Sequence, residues 1–343
     1  MNVLEYKTEE EANHSLQQIG NLIIVEDNVR YLAVVKNNHP SFQYKIEIGT
    51  SDGKEIEFIK VLEKNKNLKE VNDEIGGYLA HTGNINSIIT TTKVKEFSIH
   101  ERKASLKEEK NLSAGMPIGT KNSSSGTLGG IFFLEDFPDH LFGISNWHVL
   151  TEEVGLGGPI TNGVGNSNKE AQIGTLFWES LDHDKEVAFV LFNKDYFKSI
   201  SNTNACGYKL NGKICFPEIG MEVVTCGITS TKGYSSSREI YSSNSIIKIN
   251  EGQYKSHNIF YNQILIKNLS NSGDSGSLIS NKKGEVVGLI FAETKEIENT
   301  HLDNITVANN IQHIFNKTFS FPQRIEIENE YKYISQFNLN KFI

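Results

Sequence analysis

The amino-acid sequence predicts a mostly-β chain, with short strands forming barrels or a sandwich, preceded by a small α+β segment. Two observations carry this. Beyond residue 110, short apolar runs alternate with Gly-, Ser- and Asn-rich clusters at 121–126, 155–168 and 229–237, and strands recur at intervals of roughly ten residues. Helical spacing is absent from that stretch until Asn304–Phe315, where Ile305, Ala308, Ile311 and Phe315 share a face.

The first element is a helix. Thr8 and Glu11 have capping-box spacing, and Ala12, Leu16 and Ile19 follow at helical intervals. Leu22–Val25 and Tyr31–Val35 read as strands divided by Asp27 and Asn28. Phe42, Tyr44, Ile46 and Ile48 alternate with polar residues, a half-buried strand, and Asp52-Gly53 is a hairpin signal into Glu55–Leu62. The Lys-, Asn- and Glu-rich Glu63–Glu74 is a solvated face, Ile88–Ile99 another strand, and the charged Glu101–Lys110 marks a boundary. This divides the chain into 1–110, 111–320 and a tail, 321–343. Residues 1–110 read as an inhibitory prodomain, a docking surface or an extension of the first barrel.

Composition narrows the function classes. Lys and Arg number 34 against 42 Asp and Glu, a formal net charge of −8, which excludes a broad basic face for nucleic acid or anionic membrane. No apolar run reaches the length of a spanning helix, and Met1–Asn13, with four glutamates, has no secretory pattern. Cys206, Cys215 and Cys226 form no C-x-x-C pair. They read as free thiols in a reducing, cytoplasmic compartment rather than as metal ligands. The Gly155–Pro159 loop lacks the Gly-Lys-Ser/Thr of a phosphate loop. No cofactor or metal is expected.

The chemistry-bearing signal is Gly273-Asp-Ser-Gly-Ser277. Glycines on both sides of Ser275 permit a tight turn and close approach of a substrate carbonyl. The amides of Gly273 and Ser275 can then converge where an oxyanion forms. A serine needs a base, and the base needs a carboxylate to hold its tautomer. His148 ends a short apolar strand, and Glu186 immediately precedes another, with Asp184 two residues upstream on the same face.

These segments resemble the chymotrypsin/trypsin-like serine peptidases, especially bacterial, disulfide-free members of intracellular type. The match rests on Gly126–Gly130, Ser145-Asn-Trp-His-Val-Leu150, Ile173–Leu176, Glu186-Val-Ala188, Gly220-Met221, Cys226–Ser230, Gly273–Ser277 and Val287–Ile290, covering roughly 113–316. The resemblance implies two six-stranded antiparallel β-barrels of the chymotrypsin type, a cleft between them and a C-terminal helix, for which Asn304–Phe315 is the candidate. It also implies His148 as general base, Ser275 as nucleophile and Gly273 with Ser275 as oxyanion hole. The third member is Glu186 where the family has Asp, with Asp184 as the alternative. Leu269, six residues before the serine, suggests a small or apolar residue at P1, while Glu293 on a pocket wall favours a basic one. Relatives activated by cleavage pair the acid before the serine with a new N-terminus. No such cleavage site is evident here, so Asp274 must find another partner or stay solvated.

Two further readings compete with this one. An α/β-hydrolase needs Gly-x-Ser-x-Gly followed by a helix, but Ser277 occupies the fifth position and a hairpin-like stretch follows. A pseudoprotease, acting as a binding or scaffold protein, is motivated by the glutamate and the missing activation site. The expected activity is hydrolysis of a protein or peptide substrate, gated by narrow substrate choice or by a regulatory partner.

Overall fold

The computed structural model describes residues 5–39, 42–52, 56–57, 88–89, 92–93, 97–98, 111–120, 125–151, 154–162, 171–201, 203–229, 237–250, 259–294, 304–315, 318, 323–327 and 330–343. Most of Glu55–Leu62, all of Glu63–Glu74 and Glu101–Lys110, and much of Ile88–Ile99 lie outside these. The chain is mostly β, built on two antiparallel sheets that each curl closed.

Helix α1 spans Glu9–Ile23, and its start is the expected capping box: the Glu11 amide donates to Thr8 Oγ1 at 3.2 Å, and the Thr8 amide donates to Glu11 Oε2 at 3.2 Å. The expected strand at Leu22–Val25 is not formed. The apolar series Ala12, Leu16, Ile19, Ile23 keeps helical register to the end, so Leu22 and Ile23 complete α1 and Val25 lies in an exposed turn. Strands β1 (Val29–His39) and β2 (Phe42–Thr50) form a hairpin under α1. A two-residue strand, β3, follows at Phe97–Ser98.

The first barrel contains β4 (Pro117–Thr120), β5 (Gly126–Thr127), β6 (Gly130–Leu134), β7 (Phe137–Ser145), β8 (Pro159–Thr161), β9 (Gln172–Asp182) and β10 (Lys185–Phe192). The order is β5-β4-β8-β9-β10-β7-β6. Because β5 runs on into β6, one stretch of chain bonds β4 at its start and β7 at its end, closing the ring. A one-turn helix, α2 (Trp147–Leu150), leaves β7.

The second barrel contains β11 (Glu222–Thr225), β12 (Arg238–Lys248), β13 (Ile259–Lys267), β14 (Leu278–Asn281), β15 (Val286–Thr294) and β16 (Ile305–Asn310). These run β12-β11-β14-β15-β16-β13, and β13 pairs back onto β12. The expected helix over Asn304–Phe315 is therefore mostly a strand. All six residues of β16 are buried, and it pairs on both edges, so no polar alternation marks it and its apolar spacing mimics a helix. Only Ile311–Phe315 turns helical, as α3, stacking Phe315 on Phe189 of the first barrel with centroids 5.6 Å apart. The tail strand β17 (Leu339–Phe342) adds to β6, opposing Phe342 to Phe132.

The N-terminal residues are sewn into the second barrel. β1 pairs with β12, opposing Leu32 to Ile246 and Ala33 to Ser245, and β3 pairs with β15, opposing Ser98 to Glu293. β1 thus extends the sheet of the second barrel, not that of the first. Gly20 lets α1 lie on this sheet, since a Cβ there would stand 2.2 Å from Ile246 Cδ1.

The expectation of three free thiols and a disulfide-free chain is overturned. Cys206 and Cys226, with Cα atoms 5.9 Å apart, are joined, a spacing within the ordinary reach of a disulfide. The cysteine count therefore gives no ground for a reducing compartment. Cys215 remains a thiol, and burial, then Glu285 and Glu218, push its pKa up to about 11. No helix among the described residues is long and apolar enough to cross a membrane.

Ile246→Ala empties the contact between α1 and the second barrel. We expect a loss of about 3 kcal/mol, read as one lowered cooperative melting transition for the whole chain. Two separate transitions would show that residues 1–110 fold independently.

Candidate active site

Strand β13 ends at Lys267, and the loop that follows carries Ser275 before β14 begins. The Asp274 amide donates to the Asn271 carbonyl at 3.0 Å and the Ser277 amide to the Asp274 carbonyl at 2.9 Å, which closes the loop into tight turns. The Gly276 amide donates to the Ile290 carbonyl at 2.8 Å, fixing the loop to β15. Gly276 has φ +91°, and a Cβ there would stand 2.2 Å from the Thr127 carbonyl and 2.3 Å from Ser145 Oγ. Only glycine lets the loop press this closely on the first barrel.

Thr127 holds the loop from the other side. Its amide donates to the Ser275 carbonyl at 2.7 Å, and its hydroxyl donates to the Gly273 carbonyl at 3.0 Å. Among the described residues the amides of Gly273 and Ser275 have no acceptor, so both remain available to a ligand.

Helix α2 carries His148, whose side chain is 1% exposed. Its Nδ1 lies 2.7 Å from Glu186 Oε1, and its backbone amide donates to the same oxygen at 2.7 Å. With a carboxylate accepting there, Nδ1 carries the proton and Nε2 of the neutral ring is the acceptor. Glu186, the second residue of β10, is fully buried. Its backbone is gripped by Asn309 from β16: the Glu186 amide donates to Asn309 Oδ1 at 3.0 Å, and Asn309 Nδ2 donates to the Glu186 carbonyl at 3.1 Å. Asn146 Nδ2 reaches that carbonyl as well, at 3.1 Å.

Asp184 is directed elsewhere. It sits in the β9–β10 turn and accepts from Asn262 Nδ2 at 2.9 Å. That turn is organised by Asp182, which takes the Asp184 and Lys185 amides and the Lys185 ammonium at 2.9, 3.1 and 2.7 Å. Burial pushes the Asp182 carboxyl up, but these donors, led by the Lys185 hydrogen bond and charge, hold its pKa below the ordinary value.

Val149 and Ser275 flank Gly126. A Cβ on Gly126 would stand 2.4 Å from Val149 Cγ2 and 2.9 Å from the Ser275 carbonyl, so the residue after the histidine and the serine itself flank one glycine. Among the described residues no hydrogen bond joins the Ser275 hydroxyl to the imidazole. Of the two residues expected at a pocket, Leu269 packs inside the second barrel with Val223, Ile266 and Ile290, whereas Glu293 keeps partial exposure and accepts from Ser270 Oγ at 3.4 Å.

Sequence reasoning missed Thr127 and Asn309 as members of the site. Gly126–Gly130 was visible only as a matching segment, and Asn309 was assigned to a helix. Neither residue type announces a bond to a backbone more than a hundred positions away.

No protein-family model matches the chain, and no curated protein matches it. Among solved structures it is similar to Thermobifida fusca Protease A, at 15% identity covering 59% of this chain and 92% of that one, with a TM-score of 0.43. It is similar to a Nocardiopsis protease, at 16% identity covering 60% of this chain and 95% of that one, with a TM-score of 0.43. It is also similar to the Cellulomonas bogoriensis chymotrypsin, at 16% identity covering 60% of this chain and 93% of that one, with a TM-score of 0.42.

Proposed function

We propose that the chain is a chymotrypsin-type serine endopeptidase acting through an acyl-enzyme. The observation that carries this reading is the buried His148–Glu186 contact, held in the same seam as the Gly273–Ser277 loop. In this mechanism Ser275 Oγ attacks the substrate carbonyl carbon while His148 Nε2 takes the hydroxyl proton. Glu186 stabilises the imidazolium through Nδ1–H. The oxyanion is received by the amides of Gly273 and Ser275. The imidazolium then protonates the leaving amine, and water activated by the same ring releases the acyl group.

Glutamate suits the third role here because one oxygen accepts both the ring and the backbone of His148. Asp184 is spent on Asn262. A partly exposed carboxylate at Glu293 favours substrates with a basic side chain at P1.

Gating is part of the proposal. The Ile290 amide donates to the Ser277 carbonyl at 2.9 Å, so one edge of β15 leads away from the nucleophile loop. A peptide with its carbonyl at Ser275 would continue along that edge as an added antiparallel strand. Residues Glu293 and Thr294 of the same edge are already paired with Ser98 and Phe97 of β3. The chain's own strand thus stands where an extended substrate would lie.

The second reading is a pseudoprotease scaffold, favoured by the Ser275 hydroxyl standing without a bond to His148. A fluorophosphonate probe separates the two. Wild-type protein should label, Ser275→Ala should not, and His148→Ala should lose nearly all labelling. Glu186→Gln should slow labelling by about a hundredfold or more, with Asp184→Asn near wild type. Equal rates in those two variants would remove Glu186 from the mechanism, and an unlabelled wild type would leave the scaffold reading.

Phe97→Ala tests the gate. It should raise kcat/KM for an extended peptide more than it raises labelling by the small probe. A parallel fall in both, or no change in either, would end the gating claim.

A further inference from the structure

The residue beside the nucleophile, Asp274, is fully buried. Its Oδ1 accepts the Thr229 amide at 3.0 Å and the Thr229 hydroxyl, and its Oδ2 accepts the Asn271 amide at 3.1 Å. The first of these carboxylate oxygens faces chain 45 residues away, and the second closes the nucleophile loop on itself.

The segment that brings Thr229 there is fixed at every step. Cys226 is tied to Cys206, and the neighbouring Ala205 amide donates to the Ala114 carbonyl at 2.7 Å. Gly227 passes directly beneath the carboxylate, where a Cβ would stand 2.2 Å from Asp274 Oδ1 and 2.5 Å from Ser277 Oγ. Any side chain there would push the strand off the loop. The Ile228 amide then donates to Thr127 Oγ1 at 3.1 Å, the hydroxyl that itself donates to the Gly273 carbonyl.

We propose that Thr229 is a positioning residue for the nucleophile: it supplies a hydroxyl and an amide to Asp274 and so orders the Gly273–Ser275 amides without any chain cleavage. This rests on the serine-peptidase reading above. A buried carboxylate demands donors, and Thr229 supplies two to one oxygen from a segment stapled by a disulfide. Rotation of Asp274 away from it would turn the peptide that joins Asp274 to Ser275, and with it the amide assigned to the oxyanion. Thr229 touches no reacting atom, so its effect passes through Asp274.

The test compares wild type, Thr229→Val and Thr229→Ser, with Tm, peptide hydrolysis, fluorophosphonate labelling and amide hydrogen exchange measured on each full-length protein. Valine keeps the shape and removes the hydroxyl. We expect Thr229→Val to lose about tenfold to a hundredfold in kcat and labelling rate, with KM little changed and faster exchange at 272–276. Thr229→Ser should restore kcat and protection. A Thr229→Val protein with wild-type kcat and protection would overturn the inference, as would a serine variant no better than valine. If wild type itself neither labels nor hydrolyses, the peptidase reading fails. Exchange at 272–276 then still decides whether Thr229 orders the loop.

Discussion

The site depends on a reciprocal grip across the barrel seam. His148 and Glu186 belong to the first barrel, and Ser275 belongs to the second. Each barrel closes on its own strands, so nothing within either one sets the distance between them. Thr127 of the first barrel holds the loop of Ser275 by two carbonyls, and Asn309 of the second holds the backbone of Glu186 by its amide and carbonyl. Each side chain stands in for a missing strand neighbour. Loss of either would strand buried backbone groups, at about 1–3 kcal/mol for each, and would release the register of the two halves together.

The same logic explains why the N-terminal residues are joined to the second barrel and not merely tethered to it. β12 carries β1 beyond its pairings with β11 and β13, and β15 is capped near its end by β3. An open strand edge is a template for pairing with any extended chain. An edge filled from within the chain suppresses such pairing, and a modest contact such as Phe97 against Tyr31, with ring centroids 6.2 Å apart, can set how firmly it is filled.

What the sequence made legible was local. The Thr8–Glu11 box, the alternation of Phe42–Ile48 and the glycines around Ser275 act over a few residues, and each is found in the structure. His148 and Glu186 stood out because each abuts a short apolar strand. What escaped was non-local or lacked a period. β16 is buried on both faces, so Ile305, Ala308 and Ile311 showed a spacing without the alternation that would have marked a strand. Leu22 and Ile23 showed the reverse: a short apolar run that belonged to a helix already under way. The Cys206–Cys226 bridge is set by how the chain returns past Ala114, which no cysteine count contains.

The carboxylate at Glu186 shows how a long side chain can be held through one atom. A longer side chain must either retreat or find a second donor. Here a single oxygen takes both the imidazole and the amide of the helical turn that carries it, so the ring and its backbone are oriented by one atom. Asn309 and Asn146 fix the Glu186 backbone from which that side chain extends. The side chain is thereby locked at its root and at its tip. Substituting Asp for Glu186 would shorten the reach without moving the strand, and so weaken the contacts to the imidazole and the amide of His148.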